Sequence, residues 1–517
     1  MASATRREFV ETVAGGMFVA GLGTTVALDA GLARGGDGDA VLRFGADEPL
    51  VALLQETPVD RLLGVLVDKH RSGTSLRQLT AATALANARA FGGDDYIGFH
   101  TLMALAPALQ MANESAAADA PLPVFKVIYR NTANLHTTGA CKRSKLGPVD
   151  AIAVSGPTGA AVQKAVRAED KNAAEGTFQT SLKAGAESAY DDLLTTVQDA
   201  ADVHRIVLAY RAYDLLDLVG RDRAEAMLRQ SLRYCVNQEK WAAKQKNGKL
   251  REVLPGLVDK YDLRKPKTET KQADESWISK FADELFAASP TDAATAVAMH
   301  LGKGMDPEAI SDAIAIAANQ LVLRDSGRSA REAQANKPTG SVHGDSIGVH
   351  ASDSAHAWRS IARLALPARK LSCLVAAAWQ VALDRSERGG DFLHWTPYPR
   401  KEHMVDLPDD PKKLLSALDG AIREKNQPRS AALADKYLAG KHAAADLKAI
   451  LRAHATAQDG ALHAEKYYGT ATAEFGRMKS RFFADRQLVA LARVVASGAG
   501  TPAPGIAEAR ERLARLV

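Results

Sequence analysis

Residues 298–320, AMHLGKGMDPEAISDAIAIAANQ, carry the pattern that decides the fold. A histidine ends one helical segment, a short turn follows, and Asp306 and Pro307 open a helix rich in alanine and isoleucine. An aspartate here accepts hydrogen bonds from the free first-turn amides, and proline suits the first helical residue. The stretch therefore predicts two consecutive helices separated by a tight turn.

The same plan occurs in two other places, which indicates an approximate helical repeat. The matching stretches are DKHRSGTSLRQLTAATALANA (68–88), with Thr74 or Ser75 as the helix cap, and GKHAAADLKAILRAHATAQ (440–458). After each of the three helices, a second helix with a histidine near its start is predicted. These histidines are His100, His350 and His463, and a helix predicted after residue 201 adds His204 as a fourth.

Apolar residues at helical spacing dominate the rest of the chain, as in VDRLLGVLVDKH (59–70). Of the 517 residues, 46% are hydrophobic and only 6% aromatic, and alanine is abundant, which favours helices over sheets. PVFKVIYR (123–130) is the best run with strand-like alternation, and it is short. We therefore predict an all-α protein, a bundle or solenoid of approximate helix-hairpin repeats.

Four regions are predicted along the chain. A signal peptide occupies residues 1–33, an N-terminal helical half 34–237, and a C-terminal helical half 276–517. Between the halves, residues 238–275 are rich in lysine and poor in apolar side chains, which is typical of an exposed connection. The net charge of +5 is small for this length and indicates no nucleic-acid partner.

The stretch TRREFVETVAGGMFVAGLGTTVALDAGLA resembles a twin-arginine export signal. Arg6 and Arg7 precede Phe9, and the glycine-rich run that follows is shorter than the about 20 apolar residues of a spanning helix. A frayed amphipathic N-terminus is the alternative. The resemblance implies the twin-arginine machinery as a partner and a periplasmic location, with the signal cleaved or kept as an anchor. No stable membrane span is expected after signal removal.

Neither the cysteines nor the known nucleotide-binding and nucleophile motifs indicate a functional site in this sequence. Cys141, Cys235 and Cys373 are far apart and form no Cys-x-x-Cys, which excludes zinc-finger and iron–sulfur ligation. The sequence contains no phosphate loop, dinucleotide fingerprint or nucleophile elbow. The repeated histidines are therefore the leading site candidates.

Histidines near the same end of several packed helices can point into one volume. Neutral imidazole is a common ligand of iron, zinc and copper, so a transition metal ion is a candidate cofactor. The predicted ligands are His100, His204, His350 and His463. His350 and His463 are also candidate catalytic groups, supported by the carboxylates of Asp353 and Glu465. Two alternatives stay open: histidines that only pack at helix termini, and a metal-free site formed by some of them.

The stretches VHGDSIGVHASDSAHAWRSIARL (342–364) and HRIVLAYRAYDLLDLVGRDRAEAMLRQSLRY (204–234) resemble the questin-oxidase-like family and related helical regions of some Rieske-type proteins. The likeness extends over about residues 200–500. It implies an all-α scaffold and the oxygenation of an aromatic or ketone substrate, in the manner of a Baeyer–Villiger oxidation. It also implies that the four repeated histidines line a pocket. The chain lacks the Rieske Cys/His motifs, so the likeness does not carry an electron-transfer role.

The leading functional hypothesis is an exported oxidoreductase, or another metal-assisted enzyme, acting on a small molecule. One alternative is a non-catalytic helical-repeat binding or scaffold protein whose concave face takes a partner. Another is a small-molecule binding protein in which DFLHWTPYPRKEH (391–403) forms a lid.

Overall fold

The structure is a computed structural model that describes residues 42–265, 267–389 and 392–515. Helices and turns account for these ranges, with isolated β-bridges but no strand, so the all-α prediction is confirmed. The predicted signal peptide lies outside the described residues. Among the helices that are described, none is long and apolar enough to cross a membrane.

The first helices of the chain are α1 (Glu48–Glu56), α2 (Val59–Arg71), α3 (Leu76–Phe91), α4 (Tyr96–Asn113), α5 (Pro121–Thr137), α6 (Thr158–Arg167), α7 (Lys171–Lys183), α8 (Ala186–Val197), α9 (Val203–Asp214), α10 (Leu216–Val219), α11 (Ala224–Ala242) and α12 (Leu250–Lys260). They are followed by α13 (Glu275–Ala287), α14 (Pro290–Gly302), α15 (Pro307–Arg324), α16 (Ile347–Leu364), α17 (Pro367–Arg388), α18 (Pro411–Arg423), α19 (Gln427–Ala439), α20 (Ala444–Ala457), α21 (His463–Arg477), α22 (Arg481–Gly498) and α23 (Ile506–Ala514).

The predicted helix caps explain where the repeat helices begin. Ser75 accepts a hydrogen bond from the Gln78 amide, and the Gln78 side chain accepts one from the Ser75 amide, which forms a capping box. Asp306 accepts from the backbone of Glu308 at 3.1 Å, and Pro307 is the first residue of α15. Helix α20 begins after Ala443 without a side-chain cap. Helices α3, α15 and α20 each pack against the histidine-bearing helix that follows them.

Two groups of buried apolar side chains form the interior. The larger group combines residues of both predicted halves, for example Leu105 of α4 and Trp358 of α16. The smaller group joins α18 to α22, with Leu451 and Leu491 fully buried. Because α4 and α21 belong mainly to different groups and contact each other, the site described below lies between the two cores.

Residues 123–130, the best strand candidate of the sequence, lie within helix α5. Val124, Phe125, Val127 and Ile128 are all buried, at the i, i+1, i+3, i+4 spacing that places them on one side of a helix. A single short strand would also leave its backbone groups without partners inside an all-α core.

Residues 238–275, predicted as an exposed connection, contain helix α12. Leu250, Leu254, Leu257 and Val258 are buried on one face of this helix. Their spacing gives an apolar stripe that the high lysine content of the region conceals. The region therefore contributes to the main core as well as presenting charge to solvent.

Candidate functional site

Four helices bring the repeated histidines together. Helices α4, α9, α16 and α21 pack in a closed ring, each in contact with the next. Every one of them carries its histidine in the first or second turn, so the four side chains lie at the same kind of helix end. Convergence of distant histidines, on which the functional hypothesis depends, is therefore present in the fold.

The four imidazole rings surround one point. The ring centroids of His100 and His204 are 4.8 Å apart, and those of His204 and His350 are 5.8 Å apart. The ring centroids of His350 and His463 are 5.5 Å apart, and those of His463 and His100 are 5.1 Å apart. The closest nitrogen atoms are Nε2 of His100 and Nε2 of His204, at 3.3 Å.

Backbone carbonyls fix the protonation of two of these rings. Nδ1 of His100 lies 2.7 Å from the Tyr96 carbonyl oxygen, and Nδ1 of His463 lies 3.1 Å from that of Gly460. A carbonyl oxygen only accepts, so each Nδ1 carries the hydrogen and donates it. In a neutral imidazole the Nε2 atom then holds a lone pair, which these rings direct toward the cluster.

Burial keeps three of the imidazoles neutral. Desolvation, reinforced by the neighbouring imidazoles and Lys466, lowers the pKa of His350 to about 3. The same causes, with burial the largest, hold the pKa values of His100 and His463 well below the usual range. Within the described ranges, Nε2 of His350 and Nε2 of His463 are buried and have no hydrogen-bond partner. Unpaired buried nitrogens of this kind are costly unless a ligand takes them.

The spacing of the rings can be compared with that of imidazoles bound to one ion. Ligand nitrogens about 2.0–2.1 Å from a tetrahedral ion lie about 3.3–3.4 Å from each other. The 3.3 Å between His100 and His204 agrees with this value. No three His, Cys, Asp or Glu side chains in the described part of the chain are already arranged to bind one ion. His350 is the outlying ring, since both of its centroid distances exceed those of the other pairs, so the cluster would close by a small inward shift of this side chain.

The cluster is more open on one side. The His204 side chain is 19% exposed, and Tyr96, whose ring lies 4.3 Å from that of His100, is 36% exposed. Phe99 and Tyr234 continue an aromatic wall beside His204, with the Phe99 ring 5.4 Å from it. A small molecule approaching the imidazoles would meet this wall first.

The two carboxylates predicted from sequence are engaged elsewhere. Asp353 accepts a hydrogen bond of 2.7 Å from Thr470, one turn below His350, and burial raises its pKa. Glu465 forms a buried ion pair with Lys126 of α5. Successive helical residues are about 100° apart, so Glu465 points to the other side of α21 from His463. Neither carboxylate has a hydrogen bond to a cluster imidazole within the described residues.

Asp202 and Asp345 are the carboxylates that lie near the cluster, and the sequence interpretation selected neither. The Asp202 Oδ1 atom is 3.6 Å from Nδ1 of His204. Asp345 pairs with Arg328 and Lys337, and its negative charge opposes the lowering of the His350 pKa. An aspartate in the capping position just before His204 is the sequence signal that identifies Asp202.

Lys466 is a second residue that the sequence pattern did not reveal. It lies one turn after His463 on α21, is 5% exposed, and has no hydrogen-bond or ion-pair partner among the described residues. Burial lowers its pKa to about 8, while the charges of Asp353 and Glu465 act in the opposite direction. At neutral pH a buried ammonium group therefore lies beside three neutral imidazoles.

The other two histidines of residues 341–358 have different partners. His343 lies 3.4 Å from the Asp345 carboxylate. His356 donates from Nδ1 to Glu474 at 2.7 Å, inside a buried network in which Arg359 also binds Glu474. Only His350 of the three belongs to the imidazole cluster.

The loop 391–403, considered as a lid, packs onto helices α15 and α22 where it is described. The Tyr398 amide donates to the Leu323 carbonyl at 2.7 Å, and the Arg493 guanidinium lies 3.9 Å from the centre of the Tyr398 ring. The loop lines a surface groove of about 330 Å³ with Phe482 and Arg486. None of the four cluster histidines lines this groove.

No protein-family model matches the chain, and no curated protein or solved structure matches it significantly. The function is therefore inferred from the chemistry of the cluster itself.

Proposed function

We propose that the protein is an exported oxidoreductase whose cofactor is a transition metal ion. The residues that would hold the ion are His100, His204, His350 and His463. The proposal rests above all on the placement of four imidazoles around a single point. The Nε2 atoms of His100 and His204 face each other, and those of His350 and His463 are buried without a hydrogen-bond partner among the described residues.

Electrostatics gives the reason why a cation belongs there. The Nε2 atom of His100 presents a lone pair, because its Nδ1 donates to a carbonyl, and it faces the Nε2 atom of His204 at 3.3 Å. Two ring nitrogens at this distance are favourable only when a proton or a metal ion lies between them. A hydrogen on Nε2 of a neutral His204 would satisfy this pair of nitrogens but no other ring of the cluster. A metal ion satisfies both rings and also the unpartnered Nε2 atoms of His350 and His463.

The donor set indicates the kind of ion. Neutral imidazoles suit iron, copper and zinc, and the first two exchange electrons. When bound, such an ion supplies the redox and Lewis-acid chemistry of an oxygenation. The four imidazoles would bind the ion. Tyr96, Phe99 and Tyr234 form an aromatic wall beside His204, which excludes water from that side of the cluster. This wall and the questin-oxidase likeness together support an aromatic or ketone substrate.

Export by the twin-arginine machinery is part of the proposal. That machinery transports folded proteins, often with the cofactor already inserted. Three of the four imidazole rings are buried or nearly so, so loading during folding fits the geometry better than loading afterwards.

Metal analysis of protein purified from the exported fraction tests the proposal. We expect one iron or copper ion per chain in the natural protein, and loss of that ion when His350 and His463 are both replaced by alanine. The matched control replaces His300 and His442, two histidines outside the cluster, by alanine. The control double variant should retain the ion.

The same measurement separates the proposal from the scaffold alternative. A helical-repeat scaffold would bind no stoichiometric metal. The two double variants would then have the same metal content as the natural protein. Oxygen consumption with a panel of aromatic and ketone compounds, present in the metal-loaded protein and absent in the His350→Ala/His463→Ala variant, would establish the oxidoreductase class.

A further inference from the structure

Asp202 makes three contacts at the edge of the cluster. As the cap of α9, its Oδ1 atom accepts from the His204 backbone amide at 3.1 Å. The same oxygen lies 3.6 Å from Nδ1 of the His204 ring. Its Oδ2 atom accepts a 2.7 Å hydrogen bond from the Tyr234 hydroxyl of α11. The carboxylate is therefore held by two helices while facing one cluster imidazole.

This environment distinguishes His204 from its neighbours. The Nδ1 atoms of His100 and His463 face neutral backbone carbonyls, whereas Nδ1 of His204 faces a carboxylate. A carboxylate at this nitrogen favours the Nδ1–H form, which leaves the Nε2 lone pair free for the cluster. It also makes the imidazole a stronger electron donor than a carbonyl does.

We propose that Asp202, held by Tyr234, is the positioning residue of the metal site, which fixes the tautomer and direction of His204 and strengthens its bond to a transition metal ion. The inference rests on the proposed function, since it concerns the same ion. It assigns to Asp202 a role beyond that of a helix cap.

The position of Asp202 supports this assignment, because its Oδ1 atom lies beside Nδ1 of the His204 ring. When an ion binds Nε2 of an imidazole, the hydrogen on Nδ1 becomes more acidic, and a contact with a carboxylate becomes a charge-assisted hydrogen bond. At 3.6 Å the contact is near but not yet closed, and a small rotation of the ring would shorten it.

Asp306 provides a matched control. It caps α15 and accepts from the amide two residues later at 3.1 Å, the same distance and pattern as Asp202. No imidazole contact of Asp306 exists among the described residues. Asparagine is an equally good cap, so Asp202→Asn and Asp306→Asn both preserve helix capping and remove one negative charge.

The test measures the affinity of the full-length, metal-stripped protein for Zn²⁺ by competition with a chromophoric chelator. We expect Asp202→Asn to weaken Zn²⁺ binding about 10- to 100-fold and Asp306→Asn to leave it within twofold of the natural protein. Tyr234→Phe keeps the carboxylate and the cap, and should weaken binding by a smaller factor. With Co²⁺ as a spectroscopic probe, the d–d absorption should shift in Asp202→Asn and not in Asp306→Asn.

Equal Zn²⁺ affinities and identical Co²⁺ spectra for the two asparagine variants would overturn the inference while leaving the metal site intact. Absence of stoichiometric Zn²⁺ or Co²⁺ binding by the natural protein would instead overturn the proposed function. Should Asp202→Asn fail to fold, an unchanged Zn²⁺ affinity and Co²⁺ spectrum of Tyr234→Phe would count against the inference in the same way.

Discussion

Helices α16 and α21 carry two buried polar groups of opposite character. Toward their N-termini lies the imidazole cluster, with His350 and His463. Farther along the same helices lies a network in which His356 and Arg359 bind Glu474 at 2.7 Å each. Among the described residues, every buried charge of the network faces an opposite charge. The cluster contains two Nε2 atoms without a hydrogen-bond partner and a lysine without an ion-pair partner in the same ranges.

Under the proposed function, the contrast separates the groups that hold the helices together from those that bind the metal ion. A fully paired buried network fixes the relative position of its helices, because removing one partner leaves the others uncompensated. A cluster with unpartnered atoms reduces stability and is best explained by a missing binding partner. Replacing comparable groups on the two sides should therefore change stability in opposite directions.

The largest effect is expected for Arg359→Met in the paired network. Arg359 binds Glu474, and also Glu308 at 2.7 Å, and it lies 2.8 Å from Asp312. Its loss leaves Asp312 without a cation among the described residues and leaves the buried Glu474 with only Arg477 and His356. We therefore expect a loss of about 3–5 kcal/mol in the free energy of unfolding. Denaturant titration measures it. Arg363→Met, which removes a largely exposed partner of Glu308, should cost less than about 1 kcal/mol.

The corresponding change in the cluster is Lys466→Met in metal-free protein. This cation is as buried as Arg359 but has no ion-pair partner among the described residues. Its removal should therefore stabilise the protein by about 1–3 kcal/mol below pH 8. The folded pKa of about 8 lies below the unfolded value of 10.5, so the folded state binds fewer protons between these values. The gain from Lys466→Met should therefore shrink as the pH rises from 8 to 10.5. A destabilised variant at pH 7 would show that Lys466 has a structural partner.

The fold and the meeting of the histidines follow from local signals. Ser75 and Asp306 begin their helices where capping chemistry places them, and the repeat puts each cluster histidine at the same kind of helix end. These features depend on neighbours a few residues apart, which a sequence displays directly. Equivalent positions in packed repeats then share a side of the bundle.

The surroundings of the cluster depend on contacts between distant segments. Lys466 is on the same side of α21 as His463, but a lysine in a helix normally faces solvent. Glu465 was selected by proximity in sequence, although the helix turns it toward Lys126, a residue of α5. Which cation meets which carboxylate is decided by how the helices pack, and the spacing of residues along one helix does not contain that information.

Acid titration distinguishes His350 from Glu474, because the two side chains affect stability in different pH ranges. The pKa of His350 falls from 6.5 to about 3 in the folded protein, so stability is lost as the pH drops below 6.5. Each such histidine contributes up to about 1.4 kcal/mol per pH unit. The pKa of Glu474 is lowered to about 2, so the contribution of this carboxylate is lost only as the pH falls below 4.5.

Denaturation of metal-free protein at pH 7, 6 and 5 measures the contribution of the cluster. His350→Asn should reduce the dependence on pH by about 1 kcal/mol per unit in this range. Parallel curves for His350→Asn and the natural protein would mean that the ring titrates normally.

The smallest effect concerns the packing that supports His463. Gly344 lies so close to this residue that a Cβ atom added to it would be 2.6 Å from the His463 Cβ. Gly344→Ala should push His463 away from its position and destabilise the protein by about 1 kcal/mol. This value is at the lower end for overpacking, because the displaced ring can move toward the centre of the cluster. Gly256→Ala, in α12 with nothing within 4 Å, should instead stabilise the protein by about 0.5–1 kcal/mol.

Since the displaced ring would be a metal ligand under the proposed function, Zn²⁺ affinity should fall in Gly344→Ala and not in Gly256→Ala. Equal affinities would show that the cluster does not need His463 where it now lies.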